Sequence, residues 1–319
     1  VYAHALEFHT TTRIGADQIH ATGLAEVARI GSRMKEAQKA IGFDGTQREF
    51  FDYLKNDARF KYATKEAFLQ SYRDVEKAAL PEIAKRFSAL PKAKLEIRAV
   101  PTEQEGSAGG AYYQIGTEDG SRPGVFYVNT SNLPTRTSPR ATALYLHEAL
   151  PGHHLQGNIA LEHTGLPANL RHGYNTAFGE GWGLYAEWLG EEMGLYSDPV
   201  QLMGRLDMEM YRAIRLVVDT GLHAKGWSRE QAIQYFLDHS TLDRPAAEQE
   251  IDRYIVWPGQ AVSYKLGEIF LRTLRERAEK ALGTRFDVKR FHDQVLSTGA
   301  IPLAVLERKV AAWMARGGQ

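Results

Sequence analysis

Residues 147–154 read His-Glu-Ala-Leu-Pro-Gly-His-His, and Pro151 forbids a regular helix through them. Proline has no backbone N–H to give to the carbonyl of His147, and its ring clashes with that carbonyl. Gly152 accepts backbone angles that other residues avoid. The segment begins with a helix-compatible run from Ser138-Pro139, a cap residue followed by a first-turn proline. The chain must therefore enter His147 on a helix and leave it by a distortion.

The distortion matters because of the residues around it. In the common His-Glu-x-x-His arrangement, two histidines four apart on one helical face hold a zinc ion, and the glutamate is the general base. Here Pro151 stands at the i+4 position, so the partners open to His147 are His153 and His154. On regular helix six residues advance about 600° and about 9 Å, and seven advance about 10.5 Å. Neither spacing lets two side chains share an ion with bonds of about 2.0 Å. A bulge at Pro151-Gly152 that loops out two residues brings His153 back beside His147. The chain has no cysteine, so a metal must be held by His, Asp or Glu, and thiol catalysis, disulfides and iron–sulfur clusters are excluded.

Catalytic zinc takes three protein ligands and leaves a position for water. The third is expected from Glu180, in Phe178-Gly-Glu-Gly-Trp-Gly-Leu-Tyr-Ala-Glu187, where flanking glycines allow a close helix–helix approach. Glu187, seven residues on, is either the alternative ligand or a group orienting a ligating histidine. Zinc acidifies a bound water and polarises a carbonyl, and Glu148 is the expected base. Oxyanion donors are sought in Tyr254-Ile-Val-Trp-Pro-Gly-Gln260-Ala-Val-Ser-Tyr264, which offers Tyr254, Tyr264 and Gln260. Arg215, Asp219 and His223 share a helical face that reads either as a solvated surface or as a groove wall holding substrate charge, and His223 is expected to assist the oxyanion or substrate together with Tyr264.

The surrounding chain predicts mostly helix. Val27, Ile30, Met34 and Ile41 fall at helical spacing, Phe50 to Leu54 form a short helix, and a third runs from about Lys65 to Leu90, stopped by Pro91. Later helices are expected at about 171–193, 199–224, 228–237, 258–282 and 302–315. Leu95 to Val100 alternates like a half-buried strand. Ala111 to Ile115 and Val125 to Val128 read as an antiparallel pair. The strand Val125–Asn129, with Tyr127 and Asn129, is expected to be an edge that pairs with extended substrate. The expected class is mainly α with a small antiparallel sheet near the site, in one catalytic domain over residues 1–319.

Lys+Arg and Asp+Glu are both 39, which gives no sign of a nucleic-acid partner. No stretch is long and apolar enough for a membrane span. The first residue is Val1, so the start of the protein is taken to be missing, and export or cytoplasmic residence stays open, as does oligomeric state.

Three separated motifs in order, His147-Glu-Ala-Leu-Pro-Gly-His153-His-Leu-Gln156, Glu180-Gly-Trp-Gly-Leu-Tyr-Ala-Glu187 and Pro258-Gly-Gln-Ala-Val-Ser-Tyr264, resemble the bacterial "domain of unknown function 885" family over essentially the whole chain. Members of that family are usually longer at the N-terminus. The family is similar to gluzincin-type zinc peptidases, such as oligopeptidases, angiotensin-converting enzyme and thermostable carboxypeptidases. That similarity implies a zincin-like helical fold with a groove and a His, His, Glu metal set of His147, His153 and Glu180 around one zinc ion. The expectation is a hydrolase of short peptides, carboxypeptidase- or dipeptidase-like. The rival readings are a zinc hydrolase of non-peptide amides or esters, and a helical scaffold with a structural or vestigial metal.

Overall fold

A computed structural model describes all 319 residues. The helices are α1 (Tyr2–Thr10), α2 (Ala16–Ile41), α3 (Gln47–Asn56) and α4 (Lys65–Ala84). Three strands follow, β1 (Leu95–Ala99), β2 (Ala111–Gln114) and β3 (Gly124–Val128). Then come α5 (Ala141–Glu148), α6 (His153–Glu162), α7 (Ala168–Arg171), α8 (Thr176–Glu192) and α9 (Pro199–Ala224). The chain closes with α10 (Arg229–His239), α11 (Arg244–Val256), α12 (Ser263–Leu282), α13 (Val288–Leu296) and α14 (Leu303–Ala315). No helix is long and apolar enough to cross a membrane.

Local chemistry sets many of these boundaries. Thr46 with Glu49 and Ser228 with Gln231 form reciprocal caps on α3 and α10. Asp198 caps α9 with Pro199 in its first position. Three expected helices are shorter than their periodicity predicts, among them α8, which begins at Thr176 rather than near Arg171. α4 ends at Ala84 rather than near Leu90, because the chain turns back to bury Phe87. α12 begins at Ser263 rather than Pro258, because Gly259 takes a φ of 80° and its N–H donates to the buried Asp219 carboxylate.

The sheet is mixed, in the order β1-β3-β2, with β1 parallel and β2 antiparallel to β3. This corrects the expected antiparallel sheet. It also makes β3 the central strand, buried on most of its length, so Val125–Val128 is not a free edge. The two edges are β1, which packs against α4, and β2, which packs against α5 and α6.

Two large hydrophobic cores hold the helices together, with a small third one of Leu6, Ile19, Leu216 and Val262. One joins α4, α5, α8, α12, α13 and α14 to the sheet through Phe126, Tyr145, Trp182 and Trp313. The other joins α2, α3, α9, α10 and α11 through Ile30, Phe50, Ile214 and Phe236. α9 serves both, since Met208 belongs to the first and Met210 to the second. α8 and α12 touch almost backbone to backbone. A Cβ placed on Gly267 would lie 1.9 Å from the Ala177 carbonyl oxygen, so no larger residue fits.

Candidate metal centre

The Pro-Gly interruption is a full break between α5 and α6, four residues long, and not a bulge within one helix. The Leu150–Pro151 peptide is cis. Gly152 is pressed so closely on the preceding helix that a Cβ there would fall 1.9 Å from the His147 carbonyl oxygen. The Trp182 indole N–H donates to the Pro151 carbonyl at 2.9 Å, which fixes the break against α8. α6 then starts at His153 and directs that ring toward His147, with ring centroids 4.8 Å apart and planes at 88°.

Glu180, from the first half of α8, completes the group. Its carboxylate lies 3.4 Å from His147 Nε2 and 3.6 Å from His153 Nε2. Ligand atoms of all three residues lie within 4.8 Å of one another. Two atoms bound to one tetrahedral zinc at about 2.0–2.1 Å are about 3.3 Å apart, so these two separations are close to a zinc coordination edge. Gly183, one turn along α8, makes room for His147: a Cβ there would fall 2.6 Å from its ring.

The charges around His147 also favour a cation. Burial alone lowers its imidazole, yet Glu180 and Glu187 reverse this and push it up to about 9. Burial works to raise Glu180 as well, but the two imidazoles hold it well below the usual carboxylate range. His147 Nδ1 donates to Glu187 at 2.7 Å, which leaves Nε2 facing Glu180. The other open alternative is also placed: His154 points away, its Nδ1 bonded to the Tyr113 hydroxyl at 2.9 Å.

His147, Glu148, His153 and Glu180 line a cavity of about 620 Å³. Tyr264 and Arg215 are in its wall, as are Tyr112, Tyr113, Tyr174 and Arg212. The Tyr174 hydroxyl donates to Glu180 at 2.8 Å. Burial, and then the negative charge of Glu180, raises the Tyr264 pKa, so its hydroxyl keeps its proton and remains a donor. Arg215 lies 4.5 Å over the Tyr264 ring and 4.4 Å over the Tyr211 ring.

Other candidates lie elsewhere. Tyr254 is fully buried behind Arg215, accepts its Nε–H at 2.9 Å and donates to Glu250, so it braces the arginine and does not line the cavity. Gln260 is buried and bonded to Arg253. His223 bonds the Tyr254 carbonyl at 2.9 Å and packs on Tyr2, outside the cavity. Asn129 donates to the carbonyls of Glu105 and Ala108 and pins that loop. Tyr127 stacks on Tyr112, 5.1 Å away, and it is Tyr112 on β2 that reaches the cavity. Arg212 and Tyr174 were not singled out from sequence. Arg212 was visible three residues before Arg215, whereas Tyr174 lies in a loop with no periodicity to mark it.

The whole fold has relatives of known structure. The crystal structure of a protein described as a "putative lipoprotein" from Colwellia psychrerythraea is similar at 39% identity and a TM-score of 0.95, covering 99% of this chain and 55% of that one. A second, described as a "putative lipoprotein of unknown function" from Shewanella oneidensis, shares the fold at 21% identity and a TM-score of 0.83, covering 96% of this chain and 58% of that one. The chain thus spans somewhat more than half the length of these relatives. No curated protein shows significant similarity to it. Residues 1–310 match the family described as "Bacterial protein of unknown function (DUF885)", and the chain belongs to that family.

Proposed function

We propose that this chain is a zinc-dependent hydrolase of short peptides, with a gluzincin-like metal set of His147, His153 and Glu180. The observation that carries the reading is the convergence of these three groups beside Glu148 in one cavity, with the Glu180 carboxylate at zinc-edge separation from both imidazoles. A zinc ion held there supplies a Lewis acid that polarises a carbonyl and acidifies water. Glu148 stands in the same wall to take the proton of the attacking water and return it to the leaving nitrogen. The Tyr264 hydroxyl donates toward oxygen charge that develops on the scissile carbonyl. Glu187 holds the His147 ring in one tautomer and one orientation.

Two features favour an extended peptide as substrate. β2 is a sheet edge, and an edge strand offers unpaired backbone groups to such a chain. Arg215 presents a cation in the same cavity, held by Tyr254 and by Glu250 at 3.4 Å. A structural zinc would take a fourth protein ligand. The two residues placed to serve, Glu187 and His154, are instead turned to His147 Nδ1 and to Tyr113.

The test is a mass-spectrometric screen of short peptides with zinc-reconstituted protein. Cleavage that stops with a chelator, returns with zinc and is absent in Glu148→Gln supports the reading. Turnover of simple esters or non-peptide amides alone replaces it with the wider hydrolase reading.

A further inference from the structure

A second cavity, of about 360 Å³, lies on the other side of Glu148. Glu148 and Arg212 line both cavities, so they stand at the boundary between the two. β2 spans that boundary as well: Ala111 is in the wall of the second cavity, and Tyr112 and Tyr113 are in the wall of the first. An extended chain laid along the β2 edge therefore passes from one cavity to the other, across the base.

The second cavity is cationic. Its wall holds Arg136, Arg140 and Arg212, and its only acidic residue is Glu148. Arg140 is neutralised by Asp207, through Nε at 2.6 Å. Arg212 donates to the Met208 carbonyl and lies 3.4 Å from Glu187. Arg136 has no such partner. It is in no ion pair, and its Nε, like that of Arg212, is buried without a hydrogen-bond acceptor. Gly110 leaves room for the guanidinium, since a Cβ there would come within 3.3 Å of Arg136 Nη1. A half-buried cation with an orphaned donor is costly until an anion reaches it.

We propose that the second cavity is a substrate subsite in which Arg136 binds a carboxylate borne by the peptide on that side of the scissile bond. The proposal rests on the peptide-hydrolase reading above. The carboxylate is either the C-terminal α-carboxylate of a short peptide or the side chain of an Asp or Glu. Both are planar anions that a guanidinium binds through paired N–H groups.

The experiment is binding calorimetry on the zinc-loaded Glu148→Gln protein, alone and combined with Arg136→Ala or Arg136→Lys. The probes are Ala-Ala-Ala, its C-terminal amide, the amide of Ala-Ala-Glu-Ala, and glutarate. Arg136→Ala is expected to weaken a carboxylate-bearing probe roughly 10- to 100-fold while leaving the neutral amide unchanged. Arg136→Lys, which keeps the charge but not the paired N–H groups, is expected to retain part of the preference, which separates loss of charge from loss of fold. Dependence seen with the free acid identifies the chain terminus, and dependence seen only with the Glu-containing amide identifies a side chain. Equal weakening of acid and amide, or none, overturns the carboxylate subsite and leaves peptide binding standing. Arg136-dependent binding of glutarate without binding of any peptide supports the anion subsite and removes the peptide reading. Binding of no probe overturns the subsite.

Discussion

Glu187 accepts the Nδ1 proton of His147 at 2.7 Å, and the same carboxylate oxygen lies 3.4 Å from the Arg212 guanidinium. His147 on α5 is thus tied through α8 to a cavity-lining arginine on α9. The bond sets which imidazole nitrogen is free for a metal. Glu187→Gln is expected to lower zinc affinity about 10- to 100-fold while leaving the site fillable at high zinc. Competition with a chromophoric chelator reads this directly. A loss as complete as that of His147→Ala would make Glu187 a ligand.

Gly183→Ala places a methyl group 2.6 Å from the His147 ring. The ring is buried and held by Glu187, so it cannot simply swing away. The expected cost is about 1–3 kcal/mol of stability, together with weakened zinc binding. Thermal unfolding with and without zinc checks both. An unchanged melting temperature and affinity would show that α8 has slack at this point.

Tyr264 and His223 are expected to separate cleanly in the proposed catalysis. Tyr264→Phe removes the donor in the cavity wall and is expected to lower kcat about 100- to 1000-fold with little change in KM. His223→Ala removes a contact to the Tyr254 carbonyl outside the cavity, so kcat should stay within about twofold. Steady-state kinetics on any cleaved peptide decides between this and the reverse ranking.

The cluster of His147, His153 and Glu180 was legible because its chemistry is local. A base next to a histidine, a Pro-Gly break and a glycine-flanked glutamate each announce themselves in the sequence. What the sequence could not convey was how the break resolves, since the same residues permit a bulge or two separate helices. Strand order was equally hidden. Val125–Val128 has the same apolar character whether it is central or an edge, and only the parallel return of β1 decides it. Arg215, Asp219 and His223 do share a face of α9, but eight residues of helix advance about 12 Å. The cavity ends before His223, while Asp219 turns to Tyr2 and Gly259. Arg136 sits in an irregular loop, where neither periodicity nor motif gives it a place.

Stability should depend on acid through His292. Burial pushes its imidazole down to about 3, and the nearby Arg275 and Arg86 charges act in the same direction. The neutral ring bridges the Tyr185 hydroxyl at 2.9 Å and the Arg86 carbonyl at 2.8 Å. The ordinary value is 6.5, so between there and about 3 the unfolded chain binds the extra proton. This contribution is complete above pH 6.5 and is lost as pH falls, by at most about 1.4 kcal/mol per pH unit. Asp219, raised by burial from 3.8 to about 6, has the opposite slope over its own range. The informative quantity is therefore the difference between wild type and His292→Gln in denaturant unfolding from pH 4 to 6.5. The variant is expected to lose stability less steeply as pH falls. Parallel curves would mean that His292 takes up its proton in the folded state as readily as in the unfolded chain.

The most direct test of the metal centre is elemental analysis of purified protein after zinc is supplied and excess removed. Wild type is expected to hold one zinc per chain, and so are Glu148→Gln and His154→Ala, because neither side chain belongs to the converging trio. His147→Ala, His153→Ala and Glu180→Ala are expected to lose it. A wild type that holds no zinc, or a His153→Ala variant that holds as much as wild type, would contradict the site.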